Sequence, residues 1–206
     1  MSHALRGLYV IIDPALAGGR DMFNIAREAI AGGAALLQWR DKKREKGPQL
    51  ADVRDLADIC RAAGVPLIVN DHVDLALAAE ANGVHVGQRD LPVEVVRRLV
   101  PGGWIVGAST NNGDEARAAE ANGADYVSVG NLFGTVSKDD TRPATLDTLR
   151  AVKAAVRVPV CAIGGVGETN IADVVAAGAD MAAVISAVMA ADDPRGAAQR
   201  LASAFG

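Results

Sequence analysis

Eight short apolar runs, rich in β-branched residues, alternate with alanine-rich stretches from one end of the chain to the other. The runs are Leu8 to Ile12, Leu36 to Arg40, Pro66 to Asn70, Gly83 to Val86, Ile105 to Ser109, Tyr126 to Gly130, Val160 to Ile163 and Met181 to Ile185. They are continuously apolar, as strands buried on both faces of a parallel sheet are. The stretches between them have helical spacing: Asp52, Val53, Leu56, Ala57, Ile59, Cys60 and Ala63 recur at three- and four-residue intervals, one buried stripe. Gly64, Gly83, Gly123 and Gly178 each follow such a stretch and precede a strand, where a left-handed C-terminal cap is expected. The hexapeptide Ala-Ala-Glu-Ala-Asn-Gly occurs at Ala78 to Gly83 and again at Ala118 to Gly123, and Val175 to Asp180 is a variant of it. A repeated helix, glycine and strand argues for βα units stacked in one sheet.

Eight units in 206 residues is about 26 residues each, which predicts a compact single-domain (β/α)8 barrel, a TIM barrel, over residues 1–206. A doubly wound sheet is the second reading. No linker or break in composition marks a second domain. The chain contains 40 Ala and few rings, so small residues have to let helices lie close on the sheet.

The net charge of −4 argues against nucleic-acid or membrane partners, so any anion site is local. Cys60 and Cys161 lie far apart in apolar surroundings, as structural thiols in a reducing compartment do. Without a leader-like start or a long apolar run, a cytoplasmic protein is expected; a homo-oligomer is left open.

Barrel chemistry sits at the C-terminal strand ends. There the chain has Gln38-Trp39-Arg40-Asp41-Lys42, Asn70-Asp71, Gln88-Arg89-Asp90, Ser109, Thr135-Val136-Ser137-Lys138, Gly164-Gly165 and Ile185-Ser186. Asp71 and Asp90 end neighbouring strands, so they either share a divalent cation such as Mg²⁺ or cap the helices that follow. Arg40 and Lys42, two apart on an extended segment, project to one side as anion ligands. Lys138 with Thr135 and Ser137 forms a hydroxyl-rich anion contact. The glycines after the seventh strand and Ser186 after the eighth match a common phosphate site. A metal-bound diphosphate and a terminal phosphate together imply two phosphorylated small-molecule substrates and a transferase.

In this order the motifs resemble the thiamine phosphate synthase family over essentially the whole chain. The resemblance is carried by Gln38 to Lys42, Val69 to His72, Gly83 to Asp90, Gly107-Ala108-Ser109, Thr135 to Lys138 and Ala162 to Gly165. It implies a (β/α)8 enzyme that couples hydroxymethylpyrimidine diphosphate to thiazole phosphate, giving thiamine phosphate and diphosphate. Carried over by position, Gln38, Arg40, Lys42, Asn70, Ser109 and Lys138 are expected to hold the pyrimidine diphosphate, with Trp39 and Asp41 in the same motif. Thr135, Val136, Ser137, Gly165, Ile185 and Ser186 are expected around the thiazole phosphate. Asp71 and Asp90 are expected Mg²⁺ ligands, and Arg40, Lys42, Ser109 and Lys138 the residues that assist the chemistry.

The chain departs from the family pattern at Asn131 and Gly134, where proline is common, and at Asn111, where histidine is common. Of its histidines, His72 is expected to start a helix, and His85 to be a core residue or a pocket wall. Trp39 and Phe133 are candidates to stack on a substrate ring, and residues 41–48 and 131–143 are candidate lids. A thiazole tautomerase or another phosphate-binding barrel enzyme, which needs neither the acid pair nor the cations, and a non-catalytic thiamine phosphate sensor are the alternatives.

Overall fold

The computed structural model describes residues 5–134 and 142–206. Its eight strands are β1 (Gly7–Ile12), β2 (Ala34–Trp39), β3 (Leu67–Asn70), β4 (Gly83–Val86), β5 (Ile105–Thr110), β6 (Tyr126–Val129), β7 (Val160–Ile163) and β8 (Met181–Val184). They form a closed barrel in sequence order, every pairing parallel, with β8 returning to β1. The helices are α1 (Met22–Ala31), α2 (Lys46–Ala63), α3 (Val73–Ala78), α4 (Val93–Leu99), α5 (Gly113–Ala121), α6 (Leu146–Ala155), α7 (Ile171–Ala176), α8 (Ser186–Met189) and α9 (Pro194–Ala202). The single (β/α)8 barrel thus replaces the doubly wound alternative.

Strand alternation divides the apolar residues into two cores. Outward positions such as Val10, Leu37, Val69, Val84, Val106, Val127 and Val184 meet the helices in one continuous layer. There Ala26, Ala29, Ala76, Ala116 and Ala198 are fully buried, so alanine brings the helices close to the strands. Inward positions Tyr9, Ile11, Leu36, Ile68, Tyr126, Cys161, Met181 and Ala183 form a second core inside the barrel. Above it, toward the C-terminal strand ends, the inward side chains turn polar: Gln38, Asn70, His85 and Ser128 are all buried. That change of polarity places the site.

Three of the four expected glycine caps are left-handed: Gly64 with φ 69°, Gly123 with φ 96° and Gly178 with φ 97°. Gly83 is not a cap. It is the first residue of β4, and a Cβ there would run into the carbonyl of Ile105 on β5. The left-handed residue after α3 is Glu80, with φ 54°.

Candidate functional site

A cavity of about 670 Å³ opens at the C-terminal end of the barrel, lined by the ends of β2 to β8 and the segments after them. Arg40 follows β2, and its guanidinium reaches across to Asp13 just after β1, forming a buried ion pair. The Asp13 carboxylate also accepts from the Ala15 backbone N–H at 3.0 Å, so the acid that orients Arg40 is itself fixed. Lys42, half exposed, pairs with Asp71.

Asp71 takes a left-handed backbone, φ 62°, which short polar residues tolerate. Its N–H donates to the His85 carbonyl at 2.8 Å, and its side chain lines the cavity next to that of Asp90. Burial acts to raise the Asp71 carboxyl, but the hydrogen bond and charge of Lys42 outweigh it and hold the group below the usual carboxylate range. Asp90 is pushed up, first by burial and then by the negative charge of Asp71, although the Gly87 N–H donates to it. Neither acid caps a helix: α3 begins after His72 and α4 after Pro92, both without a side-chain cap. Two facing carboxylates with displaced pKa values and cations beside them are what a hard divalent ion and a polyanion would both engage.

The floor of the cavity is a hydrogen-bonded layer. His85, 5% exposed, is at once core and wall. Its Nε2 lies 2.9 Å from Ser109 Oγ and 3.5 Å from Ser128 Oγ, and its Nδ1 lies 2.9 Å from the Tyr126 hydroxyl. Tyr126 stacks on the imidazole and contacts the Tyr9 hydroxyl at 3.1 Å, and Gln38 Nε2 donates to Tyr9 at 2.5 Å. Gly107 makes room for this, because a Cβ there would collide with the Tyr126 ring.

On the other side, Gly164, Gly165, Ile185 and Ser186 line the cavity. The two glycines have φ of 99° and 66°, and a Cβ on Gly164 would meet Asn131. Leu132 and Phe133 donate their N–H groups to Ile163 and Gly164, so the chain after β6 lies directly on the end of β7. Arg142 donates to Glu115 through its two terminal guanidinium nitrogens at 2.8 and 2.7 Å, which depresses the Glu115 carboxyl. Asn111, in the position where the family often has histidine, donates to the Pro143 carbonyl at 3.3 Å.

Of the expected site residues, Arg40, Lys42, Asn70, Asp71, Asp90, Ser109, Gly165, Ile185 and Ser186 all line this one cavity. Trp39 is a correction. It points outward with the opposite strand parity to Arg40, is 1% exposed, and donates its indole N–H to Gln49 on α2 at 2.9 Å. It therefore has no face to offer a ligand. Asp41 is a second: its carboxylate accepts from the Lys43 and Arg44 N–H groups and from the Arg44 side chain, shaping the turn after β2. Gln38 points into the barrel but lies in the layer beneath the cavity. Thr135, Val136, Ser137 and Lys138 lie outside the described residues, as does most of the second candidate lid.

Gln88 and Arg89, which the sequence places at a strand end without a role, and Asn111 and Asn131, which it marks only as departures from the family pattern, also line the cavity, as do Thr110, Ser128 and Arg142, which sequence reasoning passed over. Ser128 was accessible from strand alternation, since it shares an inward register with Ser109. Arg142 was not, because its approach depends on Glu115.

The family model for thiamine monophosphate synthase matches residues 8–188. The chain belongs to that family. It is 48% identical to the thiamine-phosphate synthase of Chloroflexus aurantiacus over 195 residues, 94% of this chain and 90% of that one. Identity to the thiamine-phosphate synthase of Moorella thermoacetica is 47%, over 94% and 93% of the two chains. Among solved structures, the thiamine phosphate pyrophosphorylase of Pyrococcus furiosus superposes with a TM-score of 0.89 at 36% identity, covering 98% of this chain and 96% of that one. A 3-hexulose-6-phosphate synthase, at 19% identity and a TM-score of 0.71, shares the barrel alone. Membership makes the chain an enzyme of thiamine phosphate formation.

Proposed function

We propose that the chain joins 4-amino-2-methyl-5-hydroxymethylpyrimidine diphosphate to 4-methyl-5-(2-hydroxyethyl)thiazole phosphate. The carbon–oxygen bond to diphosphate breaks, its electron pair leaving with the diphosphate, and the thiazole nitrogen forms a bond to the vacated methylene carbon. The reading is carried by one observation: Arg40, Lys42, Asp71 and Asp90 share one side of a cavity whose other side is Gly164, Gly165, Ile185 and Ser186. Such a cavity suits one polyanion beside acids and cations, and a second phosphate against glycine backbone.

The thiazole nitrogen already carries a lone pair, so the protein has to position and stabilise charge instead of removing a proton. Arg40, aimed by Asp13, and Lys42 would take up the negative charge that grows on the leaving diphosphate. Lys42 would exchange Asp71 for phosphate oxygens as the ligand enters. Ser109 and Asn70 would hold the pyrimidine end, and Lys138 with Thr135, Val136 and Ser137 would complete the anion contacts. The buried floor would offer no water from beneath to capture a cation-like carbon.

The acids fit Mg²⁺, which takes oxygen ligands and keeps waters or substrate oxygens for the rest of its shell. Asp71 and Asp90 would hold it, and the repulsion that raises Asp90 is what a cation relieves. When bound, the ion neutralises diphosphate charge.

Purified protein with both substrates and Mg²⁺ is expected to release diphosphate and thiamine phosphate in equal amounts, and chelation of the metal to stop it. Asp71→Ala is expected to keep its circular dichroism spectrum and lose at least 100-fold in kcat/KM, about 2.7 kcal/mol of transition-state stabilisation. Binding of both ligands without release of diphosphate would overturn the reading. Metal-independent isomerisation of a thiazole carboxylate phosphate would put a tautomerase in its place.

A further inference from the structure

We propose that hydrogen bonds running one way through the barrel, from Gln38 to Tyr9 to Tyr126 to His85 to Ser109, hold His85 as its Nε2–H tautomer and present the Ser109 hydroxyl hydrogen to an acceptor atom of the bound ligand. Gln38, Tyr9, Tyr126 and His85 are positioning residues in this scheme, and Ser109 is the end of the relay that meets the ligand.

The polarity follows from counting hydrogens along the chain. Gln38 donates its amide hydrogen to the Tyr9 hydroxyl, which keeps one hydrogen of its own to place. The neighbouring Tyr126 oxygen, 3.1 Å away, is the strong acceptor within reach; the Cys161 sulfur in the same layer is a weak one. Tyr126, having accepted from Tyr9, directs its hydrogen to His85 Nδ1 at 2.9 Å. An imidazole that accepts at Nδ1 carries its proton on Nε2, and Nε2 then donates to Ser109 Oγ at 2.9 Å. Ser128 Oγ also donates toward Ser109 Oγ, at 3.5 Å. Ser109, accepting from both, spends its own hydrogen on the cavity it lines.

The reverse order would give Tyr9 two incoming hydrogens and leave its own only the weakly accepting Cys161 sulfur in the barrel core, where a poorly made hydrogen bond is costly. Burial raises both phenols far above neutral pH, so both hydroxyls keep the hydrogens the scheme needs. The ligand atom at Ser109 is accordingly an acceptor, such as a ring nitrogen lone pair or an anionic oxygen, and an N–H donor is disfavoured there. Identification of that ligand as the pyrimidine diphosphate rests on the proposed function; the direction of the relay does not.

The test is ¹⁵N NMR of histidine-labelled protein. The chain has 3 His, so the His85 signals are assigned by their loss in His85→Gln. Nε2 is expected to show the shift of a protonated nitrogen and Nδ1 that of an accepting one. Gln38→Glu, whose ionised carboxylate only accepts, is expected to turn Tyr9 around and convert His85 to the Nδ1–H form. Tyr126→Phe, which keeps the ring and removes the link, is expected to mix the tautomers and raise KM for the pyrimidine diphosphate roughly tenfold, with kcat moving less. An Nδ1–H tautomer in the unmodified protein, or a tautomer indifferent to both substitutions, would overturn the relay. If Tyr126→Phe does not fold, the unmodified protein and Gln38→Glu still decide it. Nδ1–H in a protein that makes thiamine phosphate rejects the relay and keeps the function. Nε2–H in a protein that makes none does the opposite.

Discussion

Asp71 and Asp90 have the same side chain and opposite displacements, because Lys42 reaches Asp71 directly while Asp90 faces Asp71 from a partly buried position. The pH dependence of stability follows from these directions. Asp71 is lowered, so the stability it contributes is present above its unfolded value and lost as pH falls through its folded one, below 3.8. Asp90 is raised, so stability is fullest below its unfolded value of about 3.8 and declines as pH rises through the higher folded value. Asp90→Asn keeps an acceptor for the Gly87 N–H and removes the charge. In metal-free protein it is therefore expected to raise the Tm at pH 7, with the gain shrinking as pH approaches 4, by differential scanning calorimetry. A Tm lowered at pH 7 would show that the two carboxylates do not repel. The acids were visible in the sequence as neighbouring strand ends; their unequal ionisation was not, because it depends on where the Lys42 ammonium comes to rest.

At the scale of elements, the two copies of Ala-Ala-Glu-Ala-Asn-Gly adopt different structures. After α5 the second copy carries the helix through Ala121 and turns at Gly123, whose N–H donates to the Glu120 carbonyl at 3.0 Å. After α3 the first copy turns a helical turn earlier, at Glu80, and its Asn82 side chain accepts from the Leu67 N–H at 2.9 Å. The physical reason lies at Gly83, which is held extended against Ile105, where a side chain cannot fit. A left-handed non-glycine residue costs about 1–2 kcal/mol, partly offset by the entropy glycine would lose on folding. Glu80→Gly is thus expected to stabilise by about 0.5 kcal/mol and Gly123→Ala to destabilise by about 1–2 kcal/mol in urea unfolding. Equal responses would mean that the two turns are equivalent after all. The strands themselves were legible almost to the residue, since continuous burial leaves runs such as Leu67–Asn70 and Met181–Val184 no polar alternative. The motif Gln38 to Lys42 does not act as a block: strict alternation puts Gln38 and Arg40 on one face and Trp39 on the other.

At the scale of the molecule, the two cysteines report on two cores. Cys60 packs between α2 and the strands, where burial pushes its thiol up to about 12, and Cys161 lies inside the barrel. In a barrel closed through β1 and β8 neither core is expected to open while the other stands. Both thiols are expected to be inert to a thiol reagent in native protein and to react together over the same range of denaturant. Labelling of Cys60 well before Cys161 would show that the helical layer detaches from an intact barrel. No helix among the described residues is long and apolar enough to cross a membrane. The sequence by itself determined the eight βα units and which strand ends carry acids, cations and glycines, because these depend on local periodicity and on a few residues at regular spacing; closure into a barrel over a doubly wound sheet was settled by the tertiary structure. Only the tertiary structure decided that Asp13 orients Arg40, that Trp39 serves the helical layer, that Arg142 reaches Glu115, and that His85 stands between Tyr126 and Ser109. Those contacts join residues from different units, and their distances are set by strand register and barrel closure, which no local stretch of sequence contains.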